Sequence, residues 1–595
     1  MANPLLDDRT VDYLLYDVLD VGSLAALPYF ADHSRETFAP YMDACRRLAR
    51  TEMFPAYRAL DEAPPRLEGG RVVTHPALGP LYARLAELGL LAATRPAEVG
   101  GQQLPTVVAG LAHAYLMAGN LAAYGYAGLT ASAARLLESF ATPVLRETYM
   151  GRMLSGEWTG TMALTEPQAG SSLADVKTRA TPAADGSYRI SGSKMFISGG
   201  DNSFTDNVIH LALARVDGAP PGVKGISLFV VPARRPTAGG LVANDIAVAG
   251  VIHKIGWKGI ASLGLNFGER GDCHGWLVGS EHRGLAHMFQ MMNEARLMVG
   301  LNGVATASVA YLESLEYART RPQGRPASAR HPDSPQVPII QHADVRRMLL
   351  RQKAIVEGGL ALLAVASLAA DLAEHSEDEA TRRENALLLD LLTPVAKSFP
   401  AERGYESNTL AVQIHGGYGY SSEYLVEAWL RDQKLNSLHE GTTGIHGIDL
   451  VGRKLALDGG AALDVLGRRV ERTLRAAREA AVEAELIDSV AAALREVREL
   501  AGFLGGLPGA EARLRHSTDA LDLFGTAVVG WLWLEMARVS TLALARPGAG
   551  DVAFHRGKLA AARYFARTEL PRVARLAALC RSGEDSFASV DPESL

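Results

Sequence analysis

Apolar residues change their spacing twice along this chain, and that change restricts the fold more than any single motif does. Up to about residue 153 they recur at intervals of three and four, as in Val11, Leu14, Leu15, Val18, Leu19 and again in Leu81, Leu85, Leu88, which builds one face of a helix. Between about 155 and 280 the period falls toward two. Short β-rich runs stand at 158–164, 188–198, 207–216, 225–231 and 263–267, separated by turn clusters such as Ala184-Asp185-Gly186 and Gly218-Ala219-Pro220-Pro221-Gly222. Helical spacing returns at Leu285 and lasts almost to the end, with Val345, Met348, Leu349, Gln352 and Val356 on one face of a long helix. The order helices, sheet, helices predicts a small antiparallel barrel or sandwich wedged between helical domains. Asp458-Gly459-Gly460 then reads as a linker into a further helical region.

At 595 residues the chain exceeds one hydrophobic core and should divide into three or four domains. Its 48% hydrophobic content, and polar residues bounding the short apolar run 360–372, predict a soluble protein with core helices rather than membrane spans. The N-terminal residues 1–8 lack a basic segment followed by an apolar one, so no signal peptide is expected. Three scattered cysteines (Cys45, Cys273, Cys580) without CxxC spacing predict neither a metal site nor a disulfide framework, and point to the cytoplasm. A net charge of −6 argues against a general nucleic-acid binder. Beyond the linker, Leu463, Leu466, Val470 and Leu474 alternate with Arg468, Arg469, Arg472 and Arg475. That stripe predicts an amphipathic helix packed on a partner with a solvated basic face; peripheral membrane contact is the less favoured reading.

The common nucleotide motifs are absent: no GxGxxG between strand and helix, no GxxxxGK[ST], and no GxSxG elbow either. His439-Glu440-Gly441-Thr442-Thr443 instead puts a carboxylate directly before a glycine turn. Such a carboxylate can point into a pocket while neighbouring backbone N–H groups stay free to hold an oxygen. A zinc HExxH helix is excluded, because position 443 is Thr and Gly441 disfavours a helix there. Upstream, 411–420 reads as a helix end running into a glycine-rich loop. The segment 163–178 leaves a strand through a Pro/Gly turn whose amides and hydroxyls can donate to a ligand.

These segments, with Gly192-Ser193-Lys194-Met195-Phe196-Ile197-Ser198-Gly199-Gly200, Asn293-Glu294-Ala295-Arg296 at a helix start and Tyr317-Ala318-Arg319-Thr320-Arg321-Pro322-Gln323-Gly324, resemble in order the signatures of the acyl-CoA dehydrogenases. That family consists of flavoenzymes that introduce an α,β double bond into acyl-CoA thioesters. The resemblance covers roughly residues 76–457. The run Glu440 to Lys454 and the helical extension are similar to a C-terminally extended bacterial subgroup of long-chain and 3-methylmercaptopropionyl-CoA dehydrogenases. The fold expected is α+β, mostly α, with an N-terminal helical domain (1–155), a middle antiparallel β-barrel domain (156–282), a C-terminal four-helix bundle (283–457) and an extra C-terminal helical domain (461–595).

The resemblance implies FAD as cofactor and Glu440 as the base that removes the α-proton while the β-hydride passes to flavin N5. Some relatives carry the base on the helix near Arg296; here Ala295 cannot accept a proton and Glu294 faces another side. Carried over, Met162, Leu164 and Thr165 touch the isoalloxazine, with Phe196, Ile197 and Ser198 beside its ring and N5 region. Gly170 and Ser171 lie along flavin phosphate and CoA thioester. Arg321 and Gln323 reach toward the FAD pyrophosphate of a neighbouring subunit, where an arginine fork suits phosphate. Gln413, Gly416 and Gly417 meet the adenylate portion, and Thr442 is a further flavin contact. Ser171, Asn293, Arg296, His439 and Gly441 face the acyl-CoA substrate. Asp175, Lys177 and Asp432 read as structural salt-bridge residues.

Departures from the family pattern are Gly199 for an asparagine, His439 for the tyrosine common before the base, and Gly444 for a polar flavin contact. The partners implied are an electron-transfer flavoprotein and a second copy of the chain, a homodimer being favoured; no nucleic acid is expected. Two rivals share the fold: an acyl-CoA oxidase passing electrons to oxygen, and a DNA-associated flavoprotein relative, against which the net charge and the intact Glu440 both count.

Overall fold

The computed structural model describes residues 3–328, 331–546, 548 and 550–595, with the side chains of 290–292 outside the description. They form two compact units, one of residues 36–104 and 115–295, the other of 1–35, 105–114 and 296–595. The helices ahead of the sheet are α1 (Arg35–Leu48), α2 (Leu78–Glu87), α3 (Thr106–Gly119) and α4 (Leu121–Phe140). Between α1 and α2 the chain makes a hairpin, β1 (Arg66–Glu68) with β2 (Arg71–Val73), turning on Gly69 and Gly70, both at positive φ. Helical spacing had been expected across this stretch; two successive left-handed glycines suit a two-residue turn instead.

The sheet strands follow: β3 (Thr159–Ala163), β4 (Arg179–Pro182), β5 (Tyr188–Ser198), β6 (Val208–Val216), β7 (Ile226–Pro232), then a small hairpin β8 (Arg234–Thr237) and β9 (Gly240–Ala243), and β10 (Ile246–Val251), β11 (Ser262–Phe267) and β12 (His274–Leu277). A ring closes through β4, β5, β12, β7 and β6, because β4 pairs with both β5 and β6. The barrel is therefore present, with a correction to its pairing: β3 and β4 run parallel to β6, while every other pair is antiparallel. Neither strand joins β6 by a tight turn, so no hairpin forces the antiparallel direction.

β6 shows how a period of two divides a domain. Ile209, Leu211 and Leu213 pack with Ala133, Leu136 and Leu137 of α4 and with Trp158, whereas Ala212, Ala214 and Val216 point the other way, onto Ile190, Ile197, Phe229, Leu263 and Phe267. Both faces of the strand are buried, so it reads as an almost continuous apolar run.

In the other unit the long helices are α5 (Gly284–Thr320, from Arg296 onward), α6 (Ala343–His375) and α7 (Glu379–His415), followed by the shorter α8 (Val426–Leu435) and α9 (Thr443–Asp449). They cross at glycines. A Cβ on Gly300 would stand 2.1 Å from the Ala396 carbonyl, and one on Gly303 3.0 Å from that of Pro400. Pro400, inside α7, has no N–H to give Ala396, so that carbonyl turns to the neighbouring helix. The extension adds α10 (Ala461–Glu479), α11 (Ala484–Gly506), α12 (Ser517–Ala545), α13 (Val552–Thr568) and α14 (Pro571–Arg581).

Buried Trp533 of α12 donates from Nε1 to the Ala354 carbonyl of α6 at 3.1 Å. α10 buries Leu466, Val470 and Leu474 as its stripe demands. Its basic face is partly neutralised, since Arg469 and Arg472 both reach Glu384, at 3.3 and 3.6 Å. The N-terminal segment is tied to the extension: Tyr13 donates to the Met536 carbonyl at 2.6 Å, and the buried Lys558 ammonium bonds Thr10 Oγ1 at 2.8 Å and Glu357 at 2.9 Å. α6 and α12 are long and apolar enough to cross a membrane, yet 83% and 89% of their apolar windows lie inside the protein, which marks them as core helices here.

Candidate active site

In the unit that carries the sheet, the first and third motifs are bound to one another. The Thr165 carbonyl accepts from the Met195 N–H at 2.8 Å, and Thr161 Oγ1 donates to the Ser198 carbonyl at 2.6 Å. Between them runs a buried ion pair. Lys194 Nζ stands 2.9 Å from Glu166 Oε1 and also donates to the carbonyls of Leu164 at 3.1 Å and Leu213 at 2.7 Å. Glu166 accepts in addition from the N–H groups of Lys177 and Thr178, at 2.7 and 3.0 Å, and from the Thr178 hydroxyl at 2.6 Å. Burial by itself would push this carboxyl up, but Lys194 and the donors outweigh it and hold it down at about 2. Burial pulls Lys194 down to about 8, against the pull of Glu166. The turn 165–172 is thus fastened to the barrel by the Glu166 side chain and by the Thr165 carbonyl.

Two consequences correct the sequence reading. Asp175 accepts from the Ser172 hydroxyl, and Lys177 contributes its backbone N–H to Glu166; among the described residues neither side chain forms a salt bridge. Asn293-Glu294-Ala295-Arg296 lies inside α5 rather than at its start, and Glu294 pairs with Arg135 at 3.1 Å.

Phe196 is held in an unusual way. The β5–β11 register slips between Leu263 opposite Ile197 and Leu265 opposite Lys194, so two residues, Met195 and Phe196, face Gly264 alone. This bulge puts Phe196 at φ +59° and leaves its ring 59% exposed. An aromatic residue in the left-handed region costs roughly 1–2 kcal/mol, and the bulge holds this ring out toward solvent at that cost. Ile197 is buried in the barrel core, so only its backbone is available to a ligand; Met162, Leu164, Thr165 and Ser198 are half-buried, and Gly170 and Ser171 are exposed, with open space beside Gly170 where a side chain would sit.

In the second unit the Tyr317 ring stacks on His415 at 4.3 Å and 25°, bringing the end of α5 to the end of α7. The segment with Arg321 and Gln323 and the loop with Gln413, Gly416 and Gly417 are thereby neighbours. Gln413, Gln323 and both glycines are exposed; Gly416 sits at φ +61°, and neither glycine has an atom within 4 Å of the place a Cβ would take. Arg321, half-buried, donates to the Pro322 carbonyl at 2.5 Å. Open glycine backbone beside an arginine suits a phosphate-bearing group, and within this unit these residues fit the phosphate and adenylate part of FAD.

The base turn lies in this same unit. Glu440 is half-buried at φ +53° and Gly441 follows at φ +94°. Thr442 caps α9, its hydroxyl accepting from the Ile445 N–H at 3.3 Å. Among the described residues no carbonyl and no side chain accepts the Glu440 N–H. Two side chains grip the turn from behind. Lys397 of α7, closed to solvent, donates from Nζ to the Gly441 carbonyl at 2.7 Å, and His446 Nε2 lies 3.1 Å from the Glu440 carbonyl, which requires the Nε2–H tautomer. Arg296 is also buried, and pairs with Asp449 at 3.3 Å. Burial raises the Glu440 carboxyl above its ordinary value, and Arg296 and then Lys397 oppose the rise. His439 donates from Nδ1 to the Leu435 carbonyl at 2.8 Å and is pushed by burial down to about 4, so it stays neutral beside the base.

Glu166, Lys194, Lys397 and His446 escaped the sequence reading. A signal existed for two of them. Lys194 shares a strand face with Ile190, and Lys397 stands in the apolar helical run Val395-Ala396-Lys397-Ser398-Phe399; a lysine on a buried face needs a designated partner.

Profiles of one family match nearly the whole chain: Acyl-CoA dehydrogenase, N-terminal domain at 38–157, middle domain at 161–267, C-terminal domain at 282–456, and Acetyl-CoA dehydrogenase C-terminal like at 466–591. The 3-methylmercaptopropionyl-CoA dehydrogenase of Ruegeria pomeroyi is 39% identical over 519 residues, 85% of each chain. The broad-specificity linear acyl-CoA dehydrogenase FadE5 of Mycobacterium tuberculosis is 34% identical over 94% of each. Among solved structures, Caenorhabditis elegans ACDH-11 in complex with C11-CoA superposes with a TM-score of 0.76 at 19% identity, covering 99% of this chain and 95% of its own. The chain belongs to the acyl-CoA dehydrogenase family, FAD-dependent oxidoreductases.

Proposed function

We propose that this chain removes one hydrogen each from the α and β carbons of an acyl-CoA thioester, giving the trans-2-enoyl-CoA, with Glu440 as the base. One observation carries the reading: a carboxylate in a left-handed turn, under the influence of the buried Arg296 and Lys397, whose own N–H has no partner among the described residues. A thioester α-proton is only weakly acidic, so its removal needs a base held close and a donor for the enolate oxygen. The Glu440 side chain and the Glu440 N–H meet both needs from one residue. FAD, when bound, accepts the β-hydrogen as hydride. Met162, Leu164, Thr165, Phe196 and Ser198 are the residues to hold its ring, and Arg321, Gln323, Gln413, Gly416 and Gly417 its phosphates and adenylate, with Arg321 serving the partner subunit of a homodimer. Asn293, His439 and Gly441 face the acyl-CoA, and burial of the acyl chain strips water from Glu440, strengthening it as a base.

The names of the two relatives, one for a short thioether acyl group and one for linear acyl groups, support an unbranched chain as substrate. Electrons then leave to an electron-transfer flavoprotein. The test is an anaerobic titration of the yellow protein with linear acyl-CoAs of graded length, following flavin bleaching. Glu440→Gln should slow bleaching by about two to four powers of ten while leaving flavin bound. A colourless protein, or a glutamine variant reduced as fast as the parent, would remove the proposal; rapid reoxidation by air would make the enzyme an oxidase instead.

A further inference from the structure

We propose that Lys397 and His446 are positioning residues for the base, clamping the two consecutive carbonyls of its turn, and that the Lys397 ammonium keeps Glu440 ionised in the apolar site. This rests on Glu440 being the base. Lys397 is the conspicuous feature, since its side chain is closed to solvent in the middle of α7 and, among the described residues, reaches no carboxylate within ion-pair distance. Its bond goes to a neutral acceptor, the Gly441 carbonyl, at 2.7 Å. A buried ammonium spent on a backbone carbonyl is costly to the fold, and the position of that carbonyl, one residue after the base, gives it a use.

The clamp is specific to this backbone. Glu440 and Gly441 both sit at positive φ, and a Cβ at Gly441 would stand 3.0 Å from His446 Nε2, a tight approach in a backbone conformation that already favours glycine. His446 takes the Glu440 carbonyl and Lys397 takes the next. With both carbonyls held, the two peptides that follow Glu440 cannot rotate, and the Cα that carries its carboxylate is fixed from that side. His446 cannot supply charge, because burial pushes it down to about 3. It positions only.

The charged and titratable groups facing Lys397 are Glu402 on its own helix, Glu440, His439 and His446 on the turn and α9, and Arg296 on α5. Glu402 accepts from the Thr443 hydroxyl and so braces the same turn. Burial pulls the Lys397 ammonium down to about 8, with Glu402 and Glu440 resisting. Below that pH it is charged and lowers the Glu440 carboxyl; above it the brake is released when the base is already ionised.

The experiment is the pH dependence of flavin reduction by a linear acyl-CoA in the FAD-loaded enzyme, with Lys397→Met, Lys397→Gln and Lys397→Arg, and Glu440→Gln as control. Removing the charge should move the acid limb upward by ~1 pH unit in both the methionine and glutamine variants. The glutamine variant, which keeps a donor, should retain more of the plateau rate than the methionine one, and arginine should restore the limb. KM for the acyl-CoA should hardly change. An unmoved limb in the methionine and glutamine variants overturns the proposal, as does loss of fold or of flavin in all three, which would make Lys397 part of the scaffold. If the Glu440→Gln control is reduced at the parental rate, the base assignment itself has failed, a separate outcome.

Discussion

Lys194 and Glu166 face each other at 2.9 Å inside the β-domain, both side chains closed to solvent, and through that contact the turn 165–172 is fastened to the strand that presents Phe196. Two segments far apart in the chain become one surface. The pair contributes to function by position, since each partner also holds backbone: Lys194 two carbonyls, Glu166 two N–H groups.

Breaking the pair from one side strands a buried charge. Lys194→Met should cost ~3–5 kcal/mol, and flavin should be lost from the protein before the helical unit unfolds. Flavin content after gel filtration, set beside a urea melt followed by far-UV circular dichroism, checks both. Replacing both residues with apolar ones should recover much of the stability but not the flavin.

The same glutamate makes the β-domain acid-sensitive. Its folded value of about 2 lies below the ordinary 4.5, so its stabilisation is complete above pH 4.5 and disappears as pH falls toward 2. The contribution is on the order of 3 kcal/mol. Denaturant midpoints between pH 6 and 3 should fall more steeply for the parent than for Glu166→Gln.

Phe196 separates binding from folding. Its ring is largely exposed and its backbone left-handed, so Phe196→Gly should leave the melting temperature unchanged or raise it, relieving up to about 1 kcal/mol of strain. Flavin should nevertheless dissociate more readily, which equilibrium dialysis at graded FAD concentrations would show.

Arg296 tests the electrostatics of the base from the α5 side. It pairs with Asp449, which keeps Arg453 at 2.8 Å if the first partner is removed. Arg296→Gln should therefore fold, while Glu440, relieved of the stronger of the two charges opposing its rise, ionises at higher pH. In the parent the limb already lies above the ordinary carboxyl value, because burial raises this group; reduction rates should fall as pH drops through it, and the variant should lose rate at a higher pH. Stopped-flow reduction across pH 5 to 9 reads the difference.

A last prediction concerns the N-terminal segment. Glu357 is buried between Lys353 and Lys558, and Lys558 also holds Thr10. Glu357→Gln leaves the buried Lys558 and the half-buried Lys353 without their shared carboxylate and should cost ~3–5 kcal/mol, whereas Lys558→Met, which leaves Lys353 in place, should cost less. Limited proteolysis ought to cut the first twenty residues sooner in both variants.

Much of the molecule was legible in its sequence. β5 lies where its alternation put it, β6, β7 and β11 start within a residue of theirs, and the helical stripes of α6 and α10 bury all the residues that trace them except Val345 and Leu463, which are half-buried. β4, β10 and β12 were not legible; each is four to six residues long and gains its place from neighbouring strands rather than from its own alternation. Parallel pairing at β6 was equally hidden, because strand direction is set by long-range contacts.

What the chain determined alone was the order of helices and strands, the glycine beside Glu440 and the residue types able to abstract a proton or grip a phosphate. Those follow from local periodicity and side-chain chemistry. Which buried lysine meets Glu166, which carbonyl Lys397 holds and how far burial lifts Glu440 were decided only by folding, since each depends on desolvation and on partners brought from distant segments of the chain.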